Sequence, residues 1–382
     1  MESTKVIKRI INAIDRKLGA KVVSLTSGVL ILCNGYSAQK GTTYSGLTTT
    51  NQIKSCQRIT AILDDANITT GYNDKTLTNA VQRLCDGYAE SEILYSFGVL
   101  SDAHIQYETG VADFQRALTY LRDRVALTCI TGDLVSYASA ENMAAYKSCV
   151  DGYAGDMPVY ECAGNHETYP EQGVGGTLDE TLWKQTTGND PYYSFTYGDD
   201  AFIFLSMNRH ANNGLFKDGA LTWLENTLET NKDKRCFVFQ HIPESVDSSA
   251  DPSNSYDNTM MGTSGQAFVD LMKRYKNTVW FHGHTHVTLG VEQYPVSVDS
   301  GYRSVHIPSL ASPRFFDKET GTLQDYYYDE NNNKIWGSLL SEGYIVDVYD
   351  KHIVLRGINF ASGAIRDEVI PFADEIYVLD TE

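Results

Sequence analysis

The feature that most constrains this chain is a regular alternation of apolar strand-like and helix-like segments that begins near Leu94. Apolar or β-branched runs such as Leu94–Leu100 and Val125–Ile130 flank segments of helical periodicity such as Val111–Arg122. Strands that are joined through helices lie in a parallel or mixed sheet that helices cover. The pattern continues with predicted helices at Ala140–Val150, Ala220–Leu228 and Ala267–Tyr275, and predicted strands at Pro158–Cys162, Ala201–Met207, Arg235–Phe239 and Thr278–Phe281.

Beyond Val287 the helical periodicity stops, and only strand-like runs follow. The links between these runs are too short for helical crossovers, so we expect some of the strands to pair antiparallel. The runs are Val291–Val298, Val305–Pro308, Tyr344–Tyr349 and Ile353–Ile358. Together the two patterns predict an α/β domain that covers residues 91–382.

Residues 1–90 have a different character. Apolar residues from Val6 to Leu18 recur at helical spacing, and the stretch 34–52 is rich in Gly, Ser and Thr, which is typical of a loop. A chain of 382 residues is too long for one ordinary core. We therefore predict a small N-terminal accessory or assembly module. The segment Ile68–Tyr88 is similar to small modules of phage and phage-derived structural proteins.

Composition argues against several classes of protein and indicates a cellular location. The net charge of −18 argues against broad nucleic-acid binding, which needs clustered Lys and Arg. No apolar stretch is long enough for a membrane-spanning helix. The 7 cysteines are scattered without a C-x-x-C pair, which indicates free thiols in a reducing compartment. We expect a cytoplasmic protein, with export or a phage particle as open alternatives.

Polar residues of one chemical kind follow five of the predicted strands. In sheets of this type, functional groups lie just past the C-terminal ends of the strands. Each of these five strand ends is followed by Asp, Asn or His. The residues are Asp102 and His104, Asp133, Asn165 and His166, His241, and His284 and His286.

These residue types suit a transition-metal site. Imidazole nitrogen and carboxylate oxygen are ligands for Zn, Mn or Fe. Asp102 and His104 are two residues apart, as are His284 and His286, and in extended backbone such residues project to the same side. All of these residues except His166 are candidate ligands, and seven are too many for one catalytic zinc, which commonly takes three protein ligands. They suit two metals that share a bridging carboxylate.

Charge explains what such a site would bind. Two divalent cations minus two carboxylates leave a local charge of about +2, which attracts a phosphate despite the acidic surface. A metal pair also clamps the attacking and leaving oxygens of an in-line displacement. Hydrolysis of phosphate esters is the natural use of this arrangement.

Five ordered motifs carry a family resemblance over about residues 94–360. They are Asp102-x-His104, Gly132-Asp133, Gly164-Asn165-His166-Glu167, His241 and Gly283-His284-x-His286. In this order the motifs resemble those of the calcineurin-like metallophosphoesterases. The resemblance implies a four-layer α/β/β/α sandwich with two mixed sheets that face each other.

The resemblance also implies a role for each site residue. It assigns one metal to Asp102, His104 and His286, the other to Asn165, His241 and His284, and the bridging position to Asp133. A metal-bridging hydroxide would attack phosphorus in line. His166 would protonate the leaving group or hold a phosphate oxygen. Glu167 would orient His166 or start a helix, and His282 would lie in the core or in the substrate pocket.

Subfamily features favour phosphodiesters as substrates. The arginine that follows the G-D motif in protein serine/threonine phosphatases is missing after Asp133, and Ser136 stands where purple acid phosphatases have tyrosine. The motifs are more similar to those of bacterial cyclic-nucleotide and general phosphodiesterases. The alternatives are a phosphomonoesterase, a nuclease, or an attachment protein of a phage-like particle whose metal site is vestigial or stabilising. Assembly through residues 1–90, as a homo-oligomer or in a particle, is also left open.

Overall fold

In a computed structural model of the chain, the described part begins at Ile93 and contains five α-helices, one short 3-10 helix and sixteen strands. The structure describes residues 93–106, 109–170, 176–208, 216–243, 262–289, 296–297, 302–317, 322–328, 334–337, 340–350, 352–361 and 376–380. The helices are α1 (Gly110–Leu121), α2 (Ala140–Tyr153), α3 (Glu180–Thr187), α4 (Ala220–Thr230) and α5 (Gly262–Arg274).

The strands fall into two large sheets and two hairpins. They are β1 (Tyr95–Leu100), β2 (Leu127–Ile130), β3 (Val159–Glu161), β4 (Tyr192–Tyr197), β5 (Asp200–Leu205), β6 (Cys236–Phe239), β7 (Thr278–His282), β8 (Val296–Ser297), β9 (Arg303–His306), β10 (Phe315–Asp317), β11 (Thr322–Gln324), β12 (Tyr326–Tyr328), β13 (Lys334–Trp336), β14 (Glu342–Val348), β15 (His352–Asn359) and β16 (Ile376–Asp380).

The chain divides into two compact units. The larger comprises residues 95–346, 357–373 and 381–382, and it holds all of the candidate site residues. In the smaller unit, β15 pairs antiparallel with β16 between residues 352–356 and 376–380. The predicted module at residues 1–90, its helices and its resemblance to phage proteins lie outside the described residues, and the boundary near residue 90 stays a prediction.

The first sheet is mixed. It contains the order β14-β1-β2-β3, in which β1, β2 and β3 are parallel. Leu94 donates its backbone N–H to the carbonyl of Val348, and Gly343 lies beside Val99. Residue numbers therefore rise along one strand as they fall along the other, so β14 runs antiparallel to β1.

The second sheet has the order β4-β5-β6-β7-β9-β8 and is also mixed. Its strands β5, β6, β7 and β9 are parallel, while β4 and β8 pair antiparallel at the edges. Strands β10 with β11 and β12 with β13 form two antiparallel pairs. The parallel strands β1, β2, β3, β6 and β7 supply the strand ends that carry the motifs.

Aromatic side chains fill the space between the two sheets. Phe97 on β1 is fully buried, and its ring centroid lies 5.2 Å from that of Phe202 and 5.0 Å from that of Phe237. Phe281 lies 6.0 Å away in the same layer. Because side chains alternate along a strand, Leu100 points to the other side of the sheet and packs in the cluster that contains Phe114 of α1.

Helices cover the outer faces of both sheets. Residues of α1, α2 and α3 pack with those of β1 and β2 in one cluster, and residues of α4 and α5 pack with those of β5, β6 and β7 in another. Phe268 of α5, for example, lies 5.0 Å from Trp280 of β7 between ring centroids. The layers are therefore helix, sheet, sheet and helix, and the predicted α/β fold with two mixed sheets is confirmed.

The sequence-based prediction lacks helix α3 and six of the strands, which are β4, β10, β11, β12, β13 and β16. Helix α3 begins after Asp179, whose side chain accepts hydrogen bonds from the backbone of Thr181 and Leu182, and it ends at Gly188 with φ of 80°. Strand β4 is only partly buried, and its aromatic residues show no clean alternation. Among the described residues, none of the helices is long and apolar enough to cross a membrane.

Candidate metal centre

The structure brings all seven predicted metal ligands together at one edge of the two sheets. They follow five different strands, β1, β2, β3, β6 and β7, which reach this edge with their carboxyl ends. Ligand atoms within 4.8 Å of one another form two groups, Asp102 with His104, Asp133 and His286, and Asp133 with His241 and His284. Asp133 belongs to both groups.

The backbone of the ligand loops has an unusual conformation. Among the described residues, the non-glycine residues with positive φ are Asp102, His104, Asp133, His284 and His286, at 53°, 37°, 53°, 72° and 60°. The expectation that Asp102 and His104 project together from extended backbone was therefore wrong in its geometry. Left-handed turns bring the side chains together instead. Each such residue costs on the order of 1–3 kcal/mol, and strain of this kind is concentrated at functional sites.

The first group surrounds the carboxylate of Asp102. The Nε2 atom of His286 lies 3.1 Å from Asp102 Oδ1 and 3.2 Å from His104 Nε2. His104 Nε2 lies 3.7 Å from Asp133 Oδ2. These nitrogen and oxygen atoms converge on one small volume.

The second group surrounds the carboxamide of Asn165. Its Oδ1 lies 2.9 Å from His284 Nδ1 and 3.1 Å from His241 Nε2. His241 Nε2 also lies 3.0 Å from Asp133 Oδ2. The same oxygen of Asp133 therefore faces both groups, as a bridging carboxylate would.

Hydrogen bonds outside the two groups fix which atoms face inward. His241 donates from Nδ1 to the carbonyl of Thr131 at 2.7 Å, and His286 donates from Nδ1 to the carbonyl of Ser312 at 3.1 Å. Such bonds leave the Nε2 lone pair of a neutral imidazole for the site. Asp102 Oδ1 is buried and has no hydrogen-bond partner. Asp102 Oδ1 and His286 Nε2 are therefore two lone-pair atoms about 3.1 Å apart with no proton between them, and a cation placed near both would bind their lone pairs.

The pKa values of the site residues show how protons distribute among them when no metal is bound. Burial and the charges of neighbouring histidines lower the pKa of His104 and His284 to about 3 each, although the nearby carboxylates act to raise these values. For His241, burial also acts to lower the pKa, but Asp133 and Asp102 outweigh it and raise the value to about 9. Burial would raise the pKa of Asp133, yet His241 and His166 hold it well below its usual value. A bound cation would displace the proton from His241.

Two glycines allow the loops to approach this closely. A Cβ atom at Gly283 would overlap Ser101 Oγ, and one at Gly164 would overlap Asp133 Oδ1. The motif glycines therefore leave room for the neighbouring ligand loops.

Glu167 lies in the first turn of a short 3-10 helix, His166–Thr168, which agrees with one of its two expected roles, and it has a further role that was not expected. Its buried carboxylate accepts hydrogen bonds from the backbone N–H groups of Asp133, Val135 and Gly164, at 3.0, 3.1 and 2.7 Å. It therefore ties the loop after β2 to the loop after β3. Burial and the charge of Asp133 raise the pKa of Glu167 to about 7, against the effect of these backbone hydrogen bonds.

His166 lies at the edge of the cluster. Its Nδ1 donates to the carbonyl of Ser136 at 2.9 Å, so Ser136 orients the ring. Its Nε2 lies 3.9 Å from Asp133 Oδ2, and the side chain is 25% exposed. The backbone N–H of His166 donates to Asp133 Oδ1 at 3.0 Å and so directs the other carboxylate oxygen toward the metal groups.

His282 belongs to the core rather than to the substrate pocket. It is 6% exposed, and its ring packs against those of Trp280 and His306. Burial lowers its pKa well below the ordinary value. Thr131, Ser312 and Tyr169 are among the contributors to the site that were missed from the sequence.

Two of these omissions have a plain cause. Thr131 and Ser312 act through backbone carbonyl groups, which every residue type has, so no residue-type signal could identify them. Tyr169 acts through its hydroxyl, at the fourth position after Asn165.

Comparison with known proteins places the site in a family. The model of the calcineurin-like phosphoesterases matches residues 95–288, which is about half of the chain and includes every candidate ligand. The chain belongs to the calcineurin-like phosphoesterase family. Membership supports a hydrolase that acts on phosphate esters, and the cluster described above can hold metal.

One curated relative of this calcineurin-like phosphoesterase is a sphingomyelinase phosphodiesterase C from Dictyostelium discoideum. The two chains are 25% identical over 162 residues, which cover 36% of this chain and 35% of the relative. This chain therefore spans about a third of the length of the relative that it matches.

Solved structures also show similarity. A purple acid phosphatase from yellow lupin (Lupinus luteus) seeds is 13% identical, with a TM-score of 0.47 over 75% of this chain and 53% of that chain. Vps29 from Entamoeba histolytica is 11% identical, with a TM-score of 0.31 over 75% of this chain and 98% of that chain. Vps29 from Chaetomium thermophilum is 10% identical, with a TM-score of 0.32 over 76% and 96%.

Proposed function

We propose that this protein is a binuclear metal-dependent phosphoesterase that hydrolyses phosphodiesters. The observation that carries the proposal is the position of Asp133 Oδ2, which lies 3.0 Å from His241 Nε2 in one ligand group and 3.7 Å from His104 Nε2 in the other. One carboxylate oxygen between two sets of nitrogen and oxygen donors fits a pair of cations.

The donor sets fit Mn, Fe or Zn ions. Asp102, His104 and His286 would hold one ion, and Asn165, His241 and His284 would hold the other, with Asp133 shared. When bound, two such ions would supply Lewis acidity and positive charge for an anionic phosphate. Because the ligands are buried, water would screen this attraction only weakly.

His166 is the residue that would handle the proton. In the reaction, the oxygen of a water joins phosphorus and gives up a proton, the phosphorus–oxygen bond to the leaving group breaks, and the leaving oxygen takes a proton, so that no net proton is consumed. Because Nδ1 donates to the carbonyl of Ser136, Nε2 is the His166 atom that would meet the substrate, and in the imidazolium form of the ring it would donate this proton or a hydrogen bond to the phosphate. Its partial exposure, 25%, gives a substrate access to the ring.

Two observations support a diester rather than a monoester substrate. The curated relative is named a phosphodiesterase. Arg314 lies next to the His286 loop, but its Nε atom lies 3.4 Å from Asp325 Oδ1. A monoester dianion carries one more charge than a diester and would gain most from an arginine, and this arginine already has an acidic neighbour. We propose a small phosphodiester as the substrate and the cytoplasm as the location.

The test compares metal content and substrate preference. The protein is reconstituted with Mn²⁺, and its hydrolysis of a bis-aryl phosphate is compared with that of the mono-aryl ester. We expect two ions per chain and faster diester turnover. Asp133→Asn should lower activity by at least about 100-fold and lower the metal content, because it weakens the shared ligand.

Asp156→Asn is the matched control, since Asp156 is exposed in the turn after α2. Faster monoester turnover would overturn the diester preference. Full activity in Asp133→Asn would overturn the bridging role.

A further inference from the structure

We infer that Tyr169 is a positioning residue for the second ligand group, because it holds the carboxamide of Asn165 with its oxygen toward the cation. The inference rests on the proposed binuclear function and concerns a residue outside the ligand motifs. Asn165 is 3% exposed, and its Nδ2 donates a hydrogen bond to the hydroxyl of Tyr169 at 3.0 Å.

A carboxamide has two chemically different ends. Only the oxygen can bind a cation, while the nitrogen carries two N–H groups that need acceptors. In Asn165 the oxygen lies 2.9 Å from His284 Nδ1 and 3.1 Å from His241 Nε2. The nitrogen points the opposite way, to Tyr169. The phenol oxygen is therefore the acceptor that satisfies the amide in its metal-binding orientation.

Tyr169 is itself held in place by the site loops. Its side chain is 8% exposed, and its ring lies 4.7 Å from that of His166 between centroids. Its backbone N–H donates to the carbonyl of His166 at 3.1 Å, and its carbonyl accepts from the backbone N–H of Ala138 at 3.1 Å. The backbone of Tyr169 is therefore held by the loops around the candidate active site, and its ring packs against His166, which places the hydroxyl beside Asn165.

Removal of the hydroxyl changes which orientation of the amide is favoured. With phenylalanine at position 169, a buried N–H group of Asn165 loses its acceptor whenever Oδ1 faces the site, which costs free energy. If the amide turns over, its N–H groups point toward the nitrogen atoms of His241 and His284 instead. A cation must then reverse this turn before it binds. Loss of groups that orient a ligand commonly weakens metal affinity about 10–100-fold.

The experiment is a titration of the metal-free full chain with Mn²⁺. Calorimetry measures the affinity of each ion, and metal analysis gives the number of ions bound. We expect two ions in the wild type. In Tyr169→Phe we expect one ion to bind about 10–100-fold more weakly and the other to keep its affinity. Activity at limiting Mn²⁺ should fall in Tyr169→Phe and recover with excess Mn²⁺. Tyr153→Phe, at the exposed end of α2, is the matched control and should bind both ions normally.

A double-mutant cycle separates positioning from a general structural effect. If Tyr169 acts through Asn165, Tyr169→Phe causes no further loss of affinity in a chain that carries Asn165→Ala. Equal losses with and without Asn165→Ala would overturn the inference, as would unchanged affinities in Tyr169→Phe. Thermal unfolding of each variant shows that it is folded. A wild type that binds fewer than two ions would overturn the proposed function and the inference with it.

Discussion

The charge state of Glu161 gives a quantitative prediction about stability. The carboxyl group is 3% exposed, its Oε1 accepts a hydrogen bond from Tyr146 at 3.2 Å, and its Oε2 has no hydrogen-bond partner. Burial raises the pKa of Glu161 from 4.5 to about 8, although Tyr146 and Lys147 act to lower it. The folded protein therefore holds Glu161 in its neutral form at pH 7.

The direction of the pH effect follows from this raised pKa. In the unfolded chain the carboxyl ionises near pH 4.5, whereas in the folded chain it ionises near pH 8. The contribution of Glu161 to stability is therefore full below pH 4.5 and is lost as the pH rises through 8. At about 1.4 kcal/mol for each pKa unit, the full loss is on the order of 5 kcal/mol. Between about pH 5 and pH 8.5 the loss of stability is about 4 kcal/mol.

The assay is urea unfolding of the metal-free protein at a series of pH values, with Glu161→Gln as the perturbation. Glutamine has nearly the same shape and cannot ionise, so this part of the pH dependence disappears. We expect the variant to gain about 4 kcal/mol relative to the wild type between about pH 5 and pH 8.5. Because all other groups are shared, their titrations cancel in the difference.

Glu141→Gln is the control for the amide substitution itself. Glu141 is exposed in the first turn of α2, so its replacement should change stability by at most about 0.5 kcal/mol at every pH. Parallel stability curves for the wild type and Glu161→Gln would refute the reasoning, because they would mean that Glu161 is already ionised in the folded protein.

Two further predictions concern a buried ion pair in the second sheet and the aromatic layer between the two sheets. Asp200→Asn should destabilise the protein by about 3–5 kcal/mol, since Arg235 Nη2 lies 2.8 Å from Asp200 and both side chains are under 9% exposed. Asp190→Asn, which breaks an exposed ion pair with Lys184, should cost at most about 1 kcal/mol in urea unfolding. If the two variants lost similar stability, the buried ion pair would not be worth more than the exposed one. Phe97→Ala should cost about 3–5 kcal/mol in urea unfolding, because it opens a cavity in the fully buried aromatic layer; a loss under about 1 kcal/mol would mean that the layer repacks.

The main strands and helices were predictable because their periodicity is local. Strand β6 spans Cys236–Phe239, within the predicted Arg235–Phe239, and α4 begins at the predicted Ala220. Helix α3 was missed because it has 8 residues and only Trp183 buried, so its apolar periodicity is weak. Its cap residue Asp179 and the glycine that ends it were the readable signals.

Strand β4 was missed for another reason. Its residues are intermediate or exposed, and it is placed by antiparallel pairing with β5 across a turn in which Gly198 has φ of 56°. Edge strands of this kind depend on their partner more than on their own residues. For the strand predicted at Val291–Val298, the structure describes Val296–Ser297 as β8.

The sequence by itself determined the residue types of the site and the strands that deliver them. Asp, Asn and His at the ends of parallel strands of one sheet must meet at the same edge of that sheet, because parallel strands share a direction. That much follows from local periodicity and chain order, without knowledge of any contact.

Only the tertiary structure decided how the delivered side chains are used. The left-handed turns at the ligands, the hold of Glu167 on three backbone N–H groups and the orientation of Asn165 by Tyr169 all depend on loops in contact. His284 donates its backbone N–H to Asp102 across 182 residues of sequence, at 3.1 Å. A hydrogen bond of this kind forms only when two distant loops pack, and the sequence does not indicate it because the backbone N–H that donates it is the same in every residue except proline.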